Sequence, residues 1–361
     1  MNTKKYTPRL IALELTRSCL SLCLHCRASA KNARYDNELT TANYINLLDN
    51  IASHYKPIII LTGGDPMLRK DVFDIAAYGT EKGLRMVMAP CGPLLDENKM
   101  QKLKQSGVQR LSFSLDGSNA EKHDNFRGVD GSFNTVLKAV EYAHQVGMPF
   151  QINSTVTKLN VDDLPCLLDL IIKLGAVSFH PFLLVPTGKA KSMASLELTP
   201  LEYENTLNWI YKQKLKHKIQ IKPTCAPHFY RIYRQREQMV GRTVKPQTHG
   251  MDAMSKGCMG GQSFAFVSHT GIVQICGFLD LDCGNVKENN FNFHDVWENS
   301  KVFTEMRDLD SYLGKCGICG YRMYCGGCRA RAYAKSGHYL QEEPLCLYQP
   351  KGLIDEYQKK H

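Results

Sequence analysis

The sequence predicts an α/β protein: a partial (β/α)6 barrel of the TIM type, followed by a smaller cysteine-rich domain. Three observations predict it. Short β-rich runs alternate with amphipathic stretches through the first half of the 361-residue chain. Several of those stretches end in Gly, the residue best suited to the left-handed position after a helix. Of fourteen cysteines, eight fall between Cys258 and Cys346.

The β-rich runs are LIALELT (10–16), PIIILTGG (57–64), RMVMAPC (85–91), RLSFSLDG (110–117), FQINSTV (150–156) and SFHPFLLVP (178–186). Between them lie YINLLDNIASHY, DVFDIAAYGTEKG, ENKMQKLKQSG, FNTVLKAVEYAHQVG and LPCLLDLIIKLG, each apolar on one helical face. Near-continuous apolar strands alternating with helices predict a parallel sheet with right-handed crossovers, whose functional face lies at the C-terminal strand ends. A flat doubly wound sheet is the alternative that periodicity leaves open. The barrel is expected over 8–190, a helical linker and substrate-proximal segment over 191–256, and the cysteine-rich domain over 257–350. PTGKAKSMASLELTP reads as a connector.

Apolar content of 43% and charge of 22% are ordinary for a globular chain with a sizeable core. No apolar run is long enough to cross a bilayer, and no h-region follows MNTKKYTPRL, so a cytoplasmic protein is expected. The net charge of +10 is spread along the chain. It suits either a lysine-rich surface or an anionic ligand. Nucleic acid is not expected, because no basic-aromatic recognition module is present. Clustered cysteines in such a chain indicate metal or redox sites more than disulfides.

CLSLCLHC (19–26) places Cys19, Cys23 and Cys26 at C-x3-C-x2-C on the loop after the first strand. A closed zinc site needs four ligands, so three thiolates leave it short unless a ligand comes from elsewhere. A 4Fe–4S cluster held by three cysteines leaves one iron free for an outside ligand. This spacing after a first barrel strand resembles the signature of the radical SAM superfamily. What the resemblance implies is a 4Fe–4S cluster that binds S-adenosylmethionine and cleaves it to a 5′-deoxyadenosyl radical. His25, between the last two cysteines, would pack beside the cluster and not ligate it.

Other stretches extend that resemblance. TGGDP (62–66) is similar to the family's GGEP motif, which implies that Gly63, Gly64, Asp65 and Pro66 approach the methionyl amino group; Asp65 stands where Glu is usual. Two glycines permit such a close backbone approach. Ser114 in SFSLDG resembles the strand-four polar residue that reaches S-adenosylmethionine. Arg127 in HDNFRG is the candidate partner for the methionyl carboxylate, since Arg can bind bidentately. Asn153 and Val185, at strands five and six, resemble positions that contact ribose and adenine.

Cys316, Cys319, Cys325 and Cys328 form C-x2-C-x5-C-x2-C, which resembles the SPASM extension of radical SAM enzymes. The usual pattern has three residues between the last two cysteines, whereas this chain has two. The resemblance implies one or two auxiliary 4Fe–4S clusters, Cys316, Cys319, Cys325 and Cys346 holding one. Cys258, Cys276 and Cys328, with Cys283 as a candidate fourth, would hold another. A zinc ribbon is the alternative for two CxxC pairs. Cys91 and Cys166 have no partners in the sequence and are expected to be core thiols.

Longer stretches, among them KPIIILTGGDP, LLVPTGKAK, TCAPHFYRI and CGGCRARAYAKSGHYLQEEPLC, resemble the SPASM branch that acts on haem-type tetrapyrroles. These are the S-adenosylmethionine-dependent haem synthases of the sirohaem-based pathway and their relatives in haem d1 biosynthesis. The resemblance implies oxidative decarboxylation of two propionates of iron-coproporphyrin III to vinyl groups. It needs a low-potential electron donor, and an acceptor for the surplus electron; the enzyme is expected to be a monomer. In TCAPHFYRIYRQR (224–236), His228 could approach the substrate or its iron, and Arg231 or Arg234 could pair with propionates. The rival classes are a peptide-modifying SPASM enzyme, for which the short stretch before Leu10 leaves no added peptide-binding domain, and a non-enzymatic iron–sulfur or zinc protein.

Overall fold

The computed structural model describes residues 6–242 and 256–351. The end of the expected linker, 243–255, lies outside the described residues. Six parallel strands follow one another in space as in sequence: β1 (Leu10–Glu14), β2 (Ile58–Thr62), β3 (Arg85–Met88), β4 (Leu111–Ser114), β5 (Phe150–Val156) and β6 (Ser178–Leu183). The crossovers are α1 (Thr41–His54), α2 (Val72–Glu81), α3 (Glu97–Gln105), α4 (Ala120–Arg127) with α5 (Ser132–Gln145), and α6 (Leu164–Lys173). A doubly wound sheet reverses its strand order at a switch point. This order never reverses, as in a singly wound, partial barrel.

The sheet extends past the six units at both edges. After α7 (Pro200–Lys216), β7 (Gln220–Ile221) pairs with β6, and the chain continues into α8 (His228–Met239). At the other edge β8 (Phe264–Val267) runs parallel to β1, and β9 (Val273–Gln274) returns antiparallel to β8. The cysteine-rich domain therefore caps the open edge of the barrel through main-chain hydrogen bonds. It ends with α9 (Phe293–Asn299), α10 (Lys301–Arg307), α11 (Gly314–Gly317) and α12 (Arg329–Ser336). Among the described residues, no helix is long and apolar enough to cross a membrane.

Side chains alternate between the two faces of each strand. Ile11, Leu13, Ile59, Leu61, Met86, Met88, Leu111, Phe113, Phe150 and Ile152 all join one buried cluster. The alternate positions carry polar groups near the C-terminal ends: Glu14 opposite Thr62, and Ser114 opposite Asn153. Period-two alternation thus sets a greasy face against the helices and a polar face inside the barrel.

HDNFRG forms the end of α4, closed by Gly128 in the left-handed conformation (φ +67°). The expected connector after β6 is a 3-10 segment, Gly188–Leu196. Its backbone lies against the cysteine loop, where Lys189 N donates to Cys26 O (2.9 Å) and a Cβ on Gly188 would run into Arg27 O.

Candidate active site

The three-thiol loop leaves β1 and is braced by the next strand's turn. Gly64 N donates to Thr16 O (2.7 Å) and Asp65 N to Ser18 O (2.8 Å). A Cβ on Gly63 would strike Thr16 O, and one on Gly64 would strike Ser18 O. The glycines of TGGDP are therefore required by this close approach, whatever they contact besides. Asp65 caps the turn at 66–68 through Oδ1, which accepts from Met67 N (3.1 Å), while its Oδ2 is buried without a hydrogen-bond partner. Burial pushes the Asp65 carboxyl up to about 6.

Cys23 sits beside a buried ion pair. Arg127, on the last turn of α4, donates Nη1 to Asp116 Oδ2 (2.8 Å) and Nη2 to Cys23 Sγ (3.0 Å). Asp116 Oδ1 accepts from Thr155 N (2.7 Å), which ties the pair to β5. Burial would raise Asp116, but the Arg127 guanidinium and the Thr155 N–H hold it below the usual carboxylate range. His25 packs on Phe126 with ring centroids 4.8 Å apart, and burial lowers it to about 4, so it stands neutral beside the loop. Arg127, expected to face an open carboxylate site, has two of its donors taken by Asp116 and Cys23.

Cys91, expected to be a core thiol, is instead a neighbour of the loop: its Sγ lies 3.6 Å from Cys19 Sγ and 3.2 Å from Gly64 O, either of which can take its one proton. The Cys91 hydrogen bond, with N–H groups of Ser21 and Leu22, lowers Cys19 against its burial. That favours the thiolate form a metal requires. Cys166 is exposed and not a core thiol, because its position on α6 faces away from the sheet. At the end of β1, Glu14 is fully buried and holds Arg27 (3.2 Å), Arg17 (3.1 Å) and His269 (3.0 Å). Burial pushes it up, but His269 and the two guanidinium groups bring it to about 2. Arg27 also lies over Phe266 of β8, at 4.7 Å, so the cysteine loop and the C-terminal domain share this polar cluster. Ser114 and Asn153 are register partners on the polar face, and Val185 is buried two residues beyond β6.

The C-terminal cysteines separate into two groups. Cys316, Cys319, Cys325 and Cys346 line one recess together with His228 and Arg231. Backbone N–H groups point at three of these sulfurs, from Glu343 to Cys316, Tyr321 to Cys319 and Gly327 to Cys325, each at 3.4 Å. Such hydrogen bonds tune the potential of a thiolate-bound cluster. A thiolate at Cys258 would raise Cys276 and Cys328, which makes these three neighbours of one another. Cys283, the candidate fourth member, turns its thiol toward Leu281 O (3.5 Å). Among the described residues no three Cys, His, Asp or Glu side chains close tightly enough to chelate a single ion. A cubane cluster differs in holding each thiolate on a separate iron, so these donor sets suit it.

The substrate candidates all lie on α8. His228 is fully buried, edge-on to Tyr203 with ring centroids 4.9 Å apart and 4.0 Å from Glu343, and burial lowers it to about 4. It faces the recess of Cys316 and its partners. Arg231 forms a fork with Glu204 (2.9 and 2.5 Å), so its charge is already matched. Arg234 lies over the Tyr324 ring at 3.3 Å. Glu343, absent from the sequence reading, sits between the two cysteine groups: it accepts from Cys328 N (2.7 Å) and pairs with Arg331 (3.3 Å). Nothing in its local sequence marks it.

A three-thiol loop at the C-terminal end of β1, a glycine turn pressed against it and an orphaned buried carboxylate oxygen on that turn fit a cluster whose open iron meets a cationic ligand. Family models agree: one described as the Radical SAM superfamily matches residues 13–171, and one described as the SPASM iron–sulfur cluster-binding domain matches 258–320. The protein is a radical SAM enzyme with a SPASM domain. The AdoMet-dependent heme synthase of Methanosarcina barkeri (strain Fusaro / DSM 804) is 49% identical to it, over 95% of this chain and 97% of that one. That of Nitratidesulfovibrio vulgaris (Hildenborough) is 48% identical, over 96% and 94%. At this identity along nearly the whole of both chains, the chain belongs to the family of these relatives. The crystal structure of Streptococcus suis SuiB bound to S-adenosylmethionine shares the fold, with a TM-score of 0.74 at 16% identity over 95% of this chain and 78% of that one.

Proposed function

We propose that the enzyme oxidatively decarboxylates two propionates of iron-coproporphyrin III to vinyl groups, forming haem b. The observation that carries this reading is the near-full-length identity of 48–49% to relatives named AdoMet-dependent heme synthase. Cys19, Cys23 and Cys26 hold the S-adenosylmethionine-binding 4Fe–4S cluster. Gly63, Gly64, Asp65, Pro66, Ser114, Arg127, Asn153 and Val185 receive S-adenosylmethionine. Cys316, Cys319, Cys325 and Cys346 hold one auxiliary cluster, and Cys258, Cys276 and Cys328 hold another. When bound, cluster and S-adenosylmethionine together supply radical hydrogen abstraction.

The chain's own side chains prepare that chemistry. Arg127 offsets thiolate charge at Cys23 and is itself balanced by Asp116, so the loop can hold an anionic cluster without a bare buried cation. The unpartnered Asp65 Oδ2 offers an acceptor to the methionyl ammonium. The surplus of positive charge, +10 over the chain, draws a four-carboxylate substrate. An external low-potential donor, an electron acceptor, a cytoplasmic location and a monomeric state complete the reading.

The test is anaerobic incubation of reconstituted enzyme with S-adenosylmethionine, a low-potential reductant and iron-coproporphyrin III, followed by product mass. Loss of two CO2 is expected. Untouched iron-coproporphyrin III alongside an altered, earlier sirohaem-derived intermediate would move the protein to the sister haem d1-type branch.

A further inference from the structure

The loop that carries Cys19, Cys23 and Cys26 is apolar on its outside. Cys19 and Cys23 are 5% and 7% exposed, whereas Leu20, Leu22 and Leu24 are 41%, 43% and 53% exposed. Leu22 is held there at φ +47°, a left-handed conformation that costs a non-glycine residue free energy and here brings it no burial. Hydrogen bonds fix the loop at three points. Cys19 N donates to Lys31 O (3.1 Å), Leu24 N to Arg127 O (3.0 Å) and Lys189 Nζ to Leu22 O (3.3 Å). The three leucines are therefore a built feature of the surface.

The charge around them is of one sign. Residues 15–35 contain Arg17, Arg27, Lys31 and Arg34 and no Asp or Glu. Residues 184–196, which meet the loop through Lys189, contain Lys189 and Lys191 and again no acid. Arg17 and Arg27 are held by Glu14. Among the described residues, Lys31, Arg34, Lys189 and Lys191 form no ion pair, and Lys31, Arg34 and Lys191 are exposed. An apolar centre rimmed by unmatched cations suits a protein of opposite charge: burial of the leucines holds the partner, and the rim steers and orients it.

We propose that this face is the docking surface for a small acidic protein with a low-potential one-electron centre, the donor that reduces the barrel cluster. The proposal rests on the reading of Cys19, Cys23 and Cys26 as the ligands of that cluster. Three leucines and a charged rim match the small, polar-edged interfaces of electron-transfer encounters. One electron leaves the carrier, which is oxidised by one, and enters the cluster. It is consumed when the sulfonium of S-adenosylmethionine is cleaved to methionine and the 5′-deoxyadenosyl radical.

The test uses full-length reconstituted enzyme and, as probe, a reduced acidic 4Fe–4S ferredoxin. Dithionite, which needs no docking surface, is the control reductant. Each variant is read as the ratio of 5′-deoxyadenosine formed with ferredoxin to that formed with dithionite, so a general loss of fold or cluster cancels. Lys31→Glu/Arg34→Glu should lower that ratio about tenfold at low salt and flatten its salt dependence. Leu20→Ser should lower it at every salt concentration. Lys138→Glu/Lys173→Glu makes the same charge change on the exposed faces of α5 and α6 and should leave the ratio within about twofold. Independently of turnover, a zero-length carbodiimide should join ferredoxin carboxylates to Lys31, Lys189 or Lys191, in protein with or without its clusters. Equal ratios in the two charge-reversed variants, or cross-links that map elsewhere, would overturn the proposal. So would binding to phosphatidylglycerol vesicles, or a dimer, that Lys31→Glu/Arg34→Glu abolishes, because the face then belongs to a membrane or a second copy. If dithionite drives no cleavage in the unaltered enzyme, the reading of the loop as a cluster site fails, and the cross-links still decide whether the face binds the carrier.

Discussion

Cys19 Sγ stands 3.6 Å from Cys91 Sγ, which joins the first thiol of the cluster loop to the turn after β3. A disulfide needs about 2.05 Å between sulfurs, so a small side-chain movement closes the gap. In protein without its cluster, dioxygen can take two electrons and two protons from the pair, giving the disulfide and hydrogen peroxide. Aerobically purified protein should therefore yield a Cys19–Cys91 cross-linked peptide by mass mapping, and its barrel cluster should rebuild only after thiol reduction. Cys91→Ser should rebuild it without that step. Free thiols at both positions after air exposure would refute this.

The barrel thiols and the C-terminal thiols occupy separate places, so their losses should separate. Changing Cys19, Cys23 and Cys26 to Ala should abolish S-adenosylmethionine cleavage while iron stays in the C-terminal domain. Cleavage measured as 5′-deoxyadenosine that persists in this variant would sink the assignment of the loop.

Asp116 balances a guanidinium that is 9% exposed. Asp116→Ala leaves Arg127 charged and unpaired in the interior, a change that costs about 3–5 kcal/mol. The melting temperature should fall markedly, and iron should leave the barrel cluster before it leaves the C-terminal domain. Replacing both Asp116 and Arg127 by Leu should recover part of the stability but not the hydrogen bond to Cys23. A melting temperature unchanged in Asp116→Ala would show that the pair adds nothing.

His180 on β6 is buried, and burial first, then Lys222 and Arg110, lowers it to about 3. The unfolded chain takes up a proton near pH 6.5 while the folded chain does not. The stability it contributes is therefore fully present above about pH 6.5 and is lost as pH falls toward 3, by up to about 1.4 kcal/mol per pH unit. His180→Gln should make the fall of melting temperature between neutrality and pH 5 shallower, the remaining slope coming from the buried His25, His123 and His228. An identical slope in the variant would rule His180 out as a source of acid sensitivity.

Substitution of Cys316 and Cys319 by Ala addresses what the recess beside His228 does. If it takes the electron left after decarboxylation, a redox-active cluster is required, because zinc has no accessible second oxidation state. The variant should still make 5′-deoxyadenosine, while decarboxylated porphyrin falls far more. Near-normal decarboxylation in a folded variant lacking that iron would show that the domain has another job.

Much of this was written in short windows. The β5 run reads as Phe150–Val156 from its own residues, the C-x3-C-x2-C loop falls directly after β1, and TGGDP follows β2. Strand alternation, helix periodicity and ligand spacing all lie within a dozen residues, so a single sequence carries them. Partner choice does not. Arg127 finds Cys23 across 104 positions, Arg231 finds Glu204 across 27, and Cys19 finds Cys91 across 72. Cys283 has a cluster-like address in sequence, inside the cysteine-rich block, yet its thiol turns toward Leu281 O. The sequence by itself determined the class of fold, the family and the cluster loop. Only the tertiary structure decided which charges and thiols meet, because burial makes each polar group satisfy itself with whatever the packed chain brings within reach.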